Sequence, residues 1–399
     1  MKEKRTGKKD RKLLWGTIII SMILSLMVFY VLYNANNKYM TREEKAIHGI
    51  LYADGSYDSL PVYYLSREWE YYPDVLLTPG DDLEKYYFRY LSIGEYGGME
   101  LDDRNGKPYG SGTYRLRIML PSEEHTYGLY LPEIFSAYNL YVDGKLIEQV
   151  GNPDPDHYEE RIQHRMFTFK GHTSVEIMIA VTDKDSASPG IQYVPAFGNP
   201  LKVNTVRGIP VFLNSSVFTL VLLVLLFSVW AFFRTRSRAN ALFAGVCVCV
   251  LGYTCYPLLH TYLALRVQPW FSLEMLFYYL TFPAMLLLEH EITGRKYKWV
   301  WWLVGFTAAA GIGATVAGIF AGGMETAALS YGVSAVTEVL KWFTAICLVV
   351  IAFFYTEGTR GLPLLAGTVL YASSLAADRI WPLYLSLIHI SEPTRQEAI

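Results

Sequence analysis

The residues best able to do chemistry in this chain are its carboxylates, and their spacing argues against catalysis. Hydrolysis of a glycosidic bond needs two carboxyl groups facing each other across that bond. Asp102-Asp103 and Glu123-Glu124 are paired in sequence, but adjacent residues on a strand point to opposite faces, so these read as turn and surface acids. There is no Gly-x-Ser-x-Gly elbow, no His-Glu-x-x-His and no phosphate-binding loop. No catalytic residue is assigned. Cys247, Cys249, Cys255 and Cys347 lie in apolar stretches without the paired Cys and His spacing of a zinc site. They read as packing residues, and neither a metal nor a cofactor is expected.

Recognition and buried charge remain. A small-ligand site needs an aromatic or apolar face with a few convergent polar groups. Trp69, Tyr71, Tyr138, Arg161, His164 and Tyr193 are the candidates, on or beside segments expected at the ends of a β-domain. Packed aromatics and surface charges are the plainer reading of each. A second set, His260, Glu274, Glu338, Lys341, Asp378 and Arg379, lies in or at the edges of apolar runs. Ionisable groups at membrane depth are costly and face a partner or a wet cavity. Glu338 and Lys341 are three apart and share a helix face, which lets them pair. The set reads either as a cluster whose pairing changes between states or as static pairs that hold helices together.

Two kinds of element must position these residues. In the first, Tyr114, Leu116, Ile118 and Leu120 alternate with Arg115, Arg117 and Met119, and Val175, Ile177, Ile179 and Val181 alternate with Glu176, Met178 and Ala180. Period two predicts strands with one face on a core. Asp143-Gly144 between short apolar runs predicts a tight hairpin. Aromatic-rich Pro61–Tyr90 suits pleated, half-buried surface. Five or six strands with regular turns predict a sandwich or jelly roll, formed without cysteines between residues 34 and 208.

The second kind is helical and apolar. Leu13–Tyr33 is long enough to cross a bilayer, and Ile209–Phe233, Ala241–Leu263, Trp270–Leu288, Trp299–Ala321, Ser330–Tyr355 and Leu362–Leu383 are six further spans. The first twelve residues hold seven basic and two acidic side chains, and Arg234-Thr-Arg-Ser-Arg238, Arg295, Lys296, Lys298 and Arg360 fall in alternate loops. The positive-inside rule then keeps residues 1–12 cytoplasmic and residues 34–208 extracellular. A cleaved signal peptide is the alternative for the first span. Residues 34–208 hold 26 Asp+Glu against 17 Lys+Arg. That balance argues against nucleic acid, whose phosphates need clustered Lys and Arg.

Several ordered segments resemble one family. They are Glu68-Trp-Glu-Tyr-Tyr-Pro73, Leu77-Thr-Pro-Gly80, Gly112-Thr-Tyr-Arg-Leu-Arg117, Tyr127-Gly-Leu-Tyr-Leu131, Ser136 through Lys145, Gly151-Asn-Pro153, Val175 through Ala180 and Gly198-Asn-Pro200. Followed by a multi-span bundle, the set resembles the bacterial seven-transmembrane receptors with diverse intracellular signalling modules. The resemblance implies an extracellular galactose-binding-like jelly roll, a carbohydrate ligand and a cytoplasmic output module, foremost a histidine kinase, with a cyclic-dinucleotide synthase or a phosphatase as other forms. Only six spans follow the anchor where the family has seven, and Leu387–Ile399 resembles translated sequencing adapter, a short native tail being the other reading.

The expected organisation is therefore a basic start (1–12), an anchor (13–33), a linker (34–60), an extracellular all-β jelly-roll sandwich (61–205), a transmembrane α-helical bundle (209–385) and a non-native tail (386–399). The expected role is a sensory receptor fragment at the cell membrane, not an enzyme as it stands. Its expected partners are a small extracellular carbohydrate, the lipid bilayer and a second copy in a homodimer. A transporter or transporter accessory subunit with an external binding domain is the alternative. A membrane-tethered carbohydrate-acting enzyme is disfavoured, because one anchor would suffice for it.

Overall fold

The computed structural model describes residues 2–36, 43, 45–53, 55–93, 110–184, 190–294, 298–321, 328–355 and 361–380. The carboxylate pair Asp102-Asp103 and the expected tail at 386–399 lie outside them.

The first half is a two-sheet β-sandwich. Its strands are β1 (Ile50–Tyr52), β2 (Tyr63–Tyr64), β3 (Trp69–Pro73), β4 (Arg89–Leu91), β5 (Gly110–Met119), β6 (His125–Leu131), β7 (Ala137–Val142), β8 (Lys145–Val150), β9 (Arg165–Gly171), β10 (Ser174–Asp183) and β11 (Ala196–Gly198). One sheet runs β4-β3-β5-β10-β7-β8, with β1 parallel to the end of β5, and the other runs β2-β11-β6-β9. The two paths do not join, so the sheets are stacked rather than closed into a barrel. Period-two alternation sets the register. Ile177 pairs with Leu116 and Ile179 with Tyr114, and all four are fully buried in the core shared by both sheets. Arg115, between two core residues, therefore points to the other face. There its guanidinium bonds Glu70 on β3 (2.6 Å) and, through Nε, Glu176 on β10 (2.8 Å). Asp143 and Gly144 both have positive φ (47° and 75°) at the β7–β8 turn, the backbone that an Asp-Gly hairpin requires.

The sandwich begins earlier than its aromatic content implied. Leu51 and Leu60 are fully buried and β1 bonds to β5, so most of the expected linker at 34–60 belongs to the domain. The cause is ordinary apolar burial by a short segment whose three-residue strand β1 carries little periodicity.

Among the described residues, seven α-helices make up the rest: α1 (Lys2–Asn36), α2 (Pro200–Thr235), α3 (Arg238–Leu259), α4 (Trp270–Thr293), α5 (Lys298–Ala321), α6 (Ala328–Tyr355) and α7 (Leu362–Ile380). Six are long and apolar enough to cross a membrane, by length and composition, and α7 contributes a shorter apolar stretch, Leu362–Ala377. This is the pattern of a multi-pass membrane protein. The N-terminal helix is more than a separate anchor. Leu14 and Ile18 pack against Ala352, Leu365 and Val369, and the Ser373 hydroxyl on α7 donates to Ser25 on α1 at 2.7 Å. Consecutive helices α2 to α7 pack in order and α1 closes against α7, so α1 is a seventh member of the bundle.

Helix α2 joins the two halves without a break. Asn199 caps it by accepting from the Leu201 N–H at 3.0 Å, and Pro200 occupies its first turn, where the missing N–H costs nothing. Val203 then packs against Tyr130 of β6 and Ala196 of β11. Gly128 allows this approach, because a Cβ there would stand 3.0 Å from Pro200 Cα.

Candidate functional site

The polar side chains converge where the sandwich rests on the hairpin between α3 and α4. On the sandwich side the contact comes from residues 159–164. Gly151 adopts φ +69°, and a Cβ there would meet the Glu159 carbonyl at 2.1 Å. Residues 152–158 can thus leave and return, with Asn152 and Glu159 exchanging backbone hydrogen bonds of 2.8 and 3.1 Å. Asn152 and Asp154 side chains accept from backbone N–H groups two residues on, the local turn chemistry expected of such residues. The returning strand is delivered to the bundle.

There it meets the loop at 260–269. Ile162 and Leu265 exchange both backbone hydrogen bonds (2.8 and 3.2 Å), and the His164 N–H donates to the His260 carbonyl at 3.3 Å. Side chains extend this pairing. The Gln268 N–H donates to Glu160 (2.9 Å), the Gln163 amide to the Tyr262 carbonyl (3.1 Å) and Arg161 to the Ala264 carbonyl (3.3 Å). Glu159 accepts from Arg161 of the sandwich (2.8 Å) and from Arg266 of the bundle (3.2 Å), and the Arg161 bond is the leading reason its carboxyl lies below the ordinary carboxylate range. Beneath this layer, Ile162, Tyr256 and Val267 are buried together, with Phe135, Leu265 and Phe271 against them. Fully burying one such apolar side chain is worth about 1.5–3 kcal/mol, so the joint is held by packing as well as by pairing.

At one edge of the joint lie Glu133, His164 and His260. Glu133 follows β6, His164 precedes β9 and His260 caps the end of α3. Nε2 of His164 is 3.0 Å from Glu133 Oε1, and Nε2 of His260 is 3.7 Å from the same oxygen. The two imidazoles stack with centroids 5.3 Å apart. Tyr130 Oη lies 2.7 Å from the other ring nitrogen of His164. Burial pushes the Glu133 carboxyl up, but the hydrogen bond from His164 and the fields of both histidines outweigh it and hold it low. Glu274, in the second turn of α4, lies within electrostatic reach of Glu133 and Tyr256.

The candidates read from sequence are thereby separated. Trp69, Tyr71 and Tyr138 are at most 1 % exposed, within the sandwich core. A ring without an open face has nothing to lay against a ligand in this conformation, and Trp69 instead donates to the Leu65 carbonyl at 2.8 Å. Tyr193 is half-buried in the loop before β11. Arg161 and His164 belong to the joint. Aromatic rings that do remain exposed on the sandwich include Tyr52 on β1 and Tyr86, Tyr87, Phe88 and Tyr90, beside and on edge strand β4. Within the bundle, Lys341 donates to Glu338 at 2.8 Å on one face of α6. His260 does not share that pair but joins the sandwich residues. The side chains of Asp378 and Arg379 lie outside the described residues. Glu289 was missed, because the apolar run ends at Leu288 while α4 continues to Thr293. It is buried and accepts from Thr368 of α7 at 3.1 Å.

No family profile matches the chain, and no curated protein does. Among solved structures, it is similar to a GH2 β-galacturonidase from Eisenbergiella tayi bound to galacturonate, at 12 % identity and a TM-score of 0.26, over 35 % of this chain and 24 % of that one. A Faecalibacterium prausnitzii β-glucuronidase overlaps at 11 % identity and a TM-score of 0.25, over 35 % and 32 % of the two chains. A Kluyveromyces marxianus β-glucosidase overlaps at 11 % identity and a TM-score of 0.24, over 45 % and 21 %. This chain thus spans about a fifth to a third of the length of those proteins. Likeness at these TM-scores carries no weight in assigning either a fold or an activity.

Proposed function

We propose that this protein is a membrane receptor whose sandwich, a galactose-binding-like jelly roll, binds a small external ligand and passes its state to the helical bundle through the joint at 159–164 and 260–268. The observation that carries this reading is the joint itself. An anchored binding domain or an anchored enzyme needs only a tether, whereas here the sandwich is docked on α2 and bonded a second time to the α3–α4 hairpin. Two attachments on different helices make any reorientation of the sandwich a relative movement of those helices. A ligand can drive that movement only as far as its affinities for the two arrangements differ. The sandwich lies at the opposite end of α2 from Arg234, Arg236 and Arg238, which favours an extracellular position for it. The carbohydrate class of the ligand, and an output module of histidine-kinase type, follow from the family resemblance of the sequence.

The test uses the full chain in lipid nanodiscs, with spin labels on exposed Leu146 of the sandwich and exposed Tyr262 of the hairpin. A panel of mono- and oligosaccharides should contain a ligand that shifts the distance distribution between them. Saturable sugar binding that leaves the distribution unchanged would reduce the domain to a tethered binder. Ligand-dependent solute uptake by vesicles containing the chain would favour a transporter instead.

A further inference from the structure

Glu133, His164 and His260 place three potential metal-ligand atoms within 4.8 Å of one another. Donors bound to one tetrahedral Zn2+ at about 2.1 Å stand roughly 3.4 Å apart. The Glu133–His164 and Glu133–His260 separations, 3.0 and 3.7 Å, bracket that value. A hydrogen-bonded joint does not by itself account for His260. Its side chain is 2 % exposed, its Nδ1 is buried with no hydrogen-bond partner, and its Nε2 faces Glu133 from beyond hydrogen-bonding distance. Burying an imidazole in that condition is costly, and a cation at Nε2 gives that nitrogen, though not Nδ1, a partner. Tyr130 fits the same site. With Zn2+ on Nε2 of His164 in place of the 3.0 Å hydrogen bond to Glu133, Nδ1–H would donate to Tyr130 Oη, 2.7 Å away. An outer hydrogen bond that fixes the ring in this way is usual for metal-bound histidines.

We infer that Glu133, His164 and His260 form a Zn2+ site that latches the sandwich to the bundle, two ligands coming from the former and one from the latter. Two imidazoles and one carboxylate suit Zn2+ better than Ca2+ or Mg2+, which prefer oxygen shells. Three protein ligands leave a fourth position for water or an external donor. The site does not depend on the receptor reading, and it stands or fails whether or not the sandwich binds sugar.

The full chain in nanodiscs, stripped with a chelator, is titrated with Zn2+ alone by calorimetry and with Co2+ alone by visible absorption. One equivalent should bind, with Co2+ bands of nitrogen and oxygen ligation and no thiolate charge-transfer band in the near ultraviolet. His260→Asn and Glu133→Gln should each weaken binding tenfold or more, while His157→Asn, an exposed histidine beside Asp154, should leave it unchanged. Absence of a saturable equivalent, a thiolate band that places the metal on cysteines, or unchanged affinity in His260→Asn would each overturn the assignment. Should a variant fail to fold, the wild-type stoichiometry and spectrum decide alone.

Discussion

Replacing Ile162 by alanine should open the joint while leaving the sandwich folded. Ile162 is fully buried, yet it belongs to the small cluster with Tyr256 and Val267 and not to the core shared by the two sheets. Truncating a buried isoleucine to alanine costs about 2–5 kcal/mol, the higher end applying where the cavity cannot collapse. This cluster sits at a seam bordered by the half-buried rings of Phe135 and Phe271, which can move inward, so the lower part, about 2–3 kcal/mol, is expected. At 1.4 kcal/mol per factor of ten, the joint should open roughly 30- to 140-fold more often. Hydrogen exchange reads this directly, since the Leu265 and Ile162 amides each bond to the other's carbonyl. Their exchange should accelerate by about that factor in the opening-limited comparison, whereas amides of β5 and β10 should keep their wild-type protection. Equal acceleration in β5 and β10 would refute the separation of joint from sandwich. No acceleration at Ile162 and Leu265 would show that the polar layer holds the joint and the apolar cluster does not.

Three further outcomes follow from other contacts. Arg115→Met leaves Glu70 and Glu176 facing each other across β5 without their shared cation; after allowance for their partial exposure, a loss of about 2–3 kcal/mol is expected in denaturant unfolding of the sandwich signal. Gly252→Val drives a Cβ to 2.3 Å from the Phe277 ring at the α3–α4 contact, which should lower the thermal midpoint of the bundle through overpacking of about 1–3 kcal/mol; an unchanged midpoint would mean that Phe277 swings aside freely. Asp81 accepts from both the N–H and hydroxyl of Thr78, and those bonds hold its carboxyl low. Its stabilising effect is therefore complete above the unfolded value near about 4 and fades as pH falls below it. Proteolysis of the 74–88 loop should consequently be faster in Asp81→Asn than in wild type at pH 7, the two converging at acid pH.

The fold was legible wherever the pattern was local. Tyr114, Leu116 and Ile118 against Val175, Ile177 and Ile179 fixed two paired strands, Asp143-Gly144 fixed their neighbouring hairpin, and uninterrupted apolar length marked the helices. What stayed hidden depends on contacts between distant parts of the chain. Nothing in Leu13–Tyr33 marks it as the neighbour of α7, because an anchor and a bundle helix share one composition. Trp69, Tyr71 and Tyr138 carry the chemistry of a ligand site, and only their burial assigns them to the core. His164 and His260 were both singled out, but in different groups. Their meeting at Glu133 depends on the Gly151 turn and on how α2 seats the sandwich. Glu289 was lost because the span was ended at Leu288, where a charged residue closed the apolar run, five residues short of the end of α4.

The unbroken course of α2 has a mechanical consequence. Its 36 residues make a rod about 54 Å long, fixed to β6 and β11 at one end and ending at the basic turn before α3 at the other. Such a rod converts angle into distance. A tilt of about 5° at the sheet would displace the far end by about 5 Å, roughly one helical turn. Rotations too small to rearrange any strand pairing would thus suffice to change which helix surfaces meet at the far end of α2.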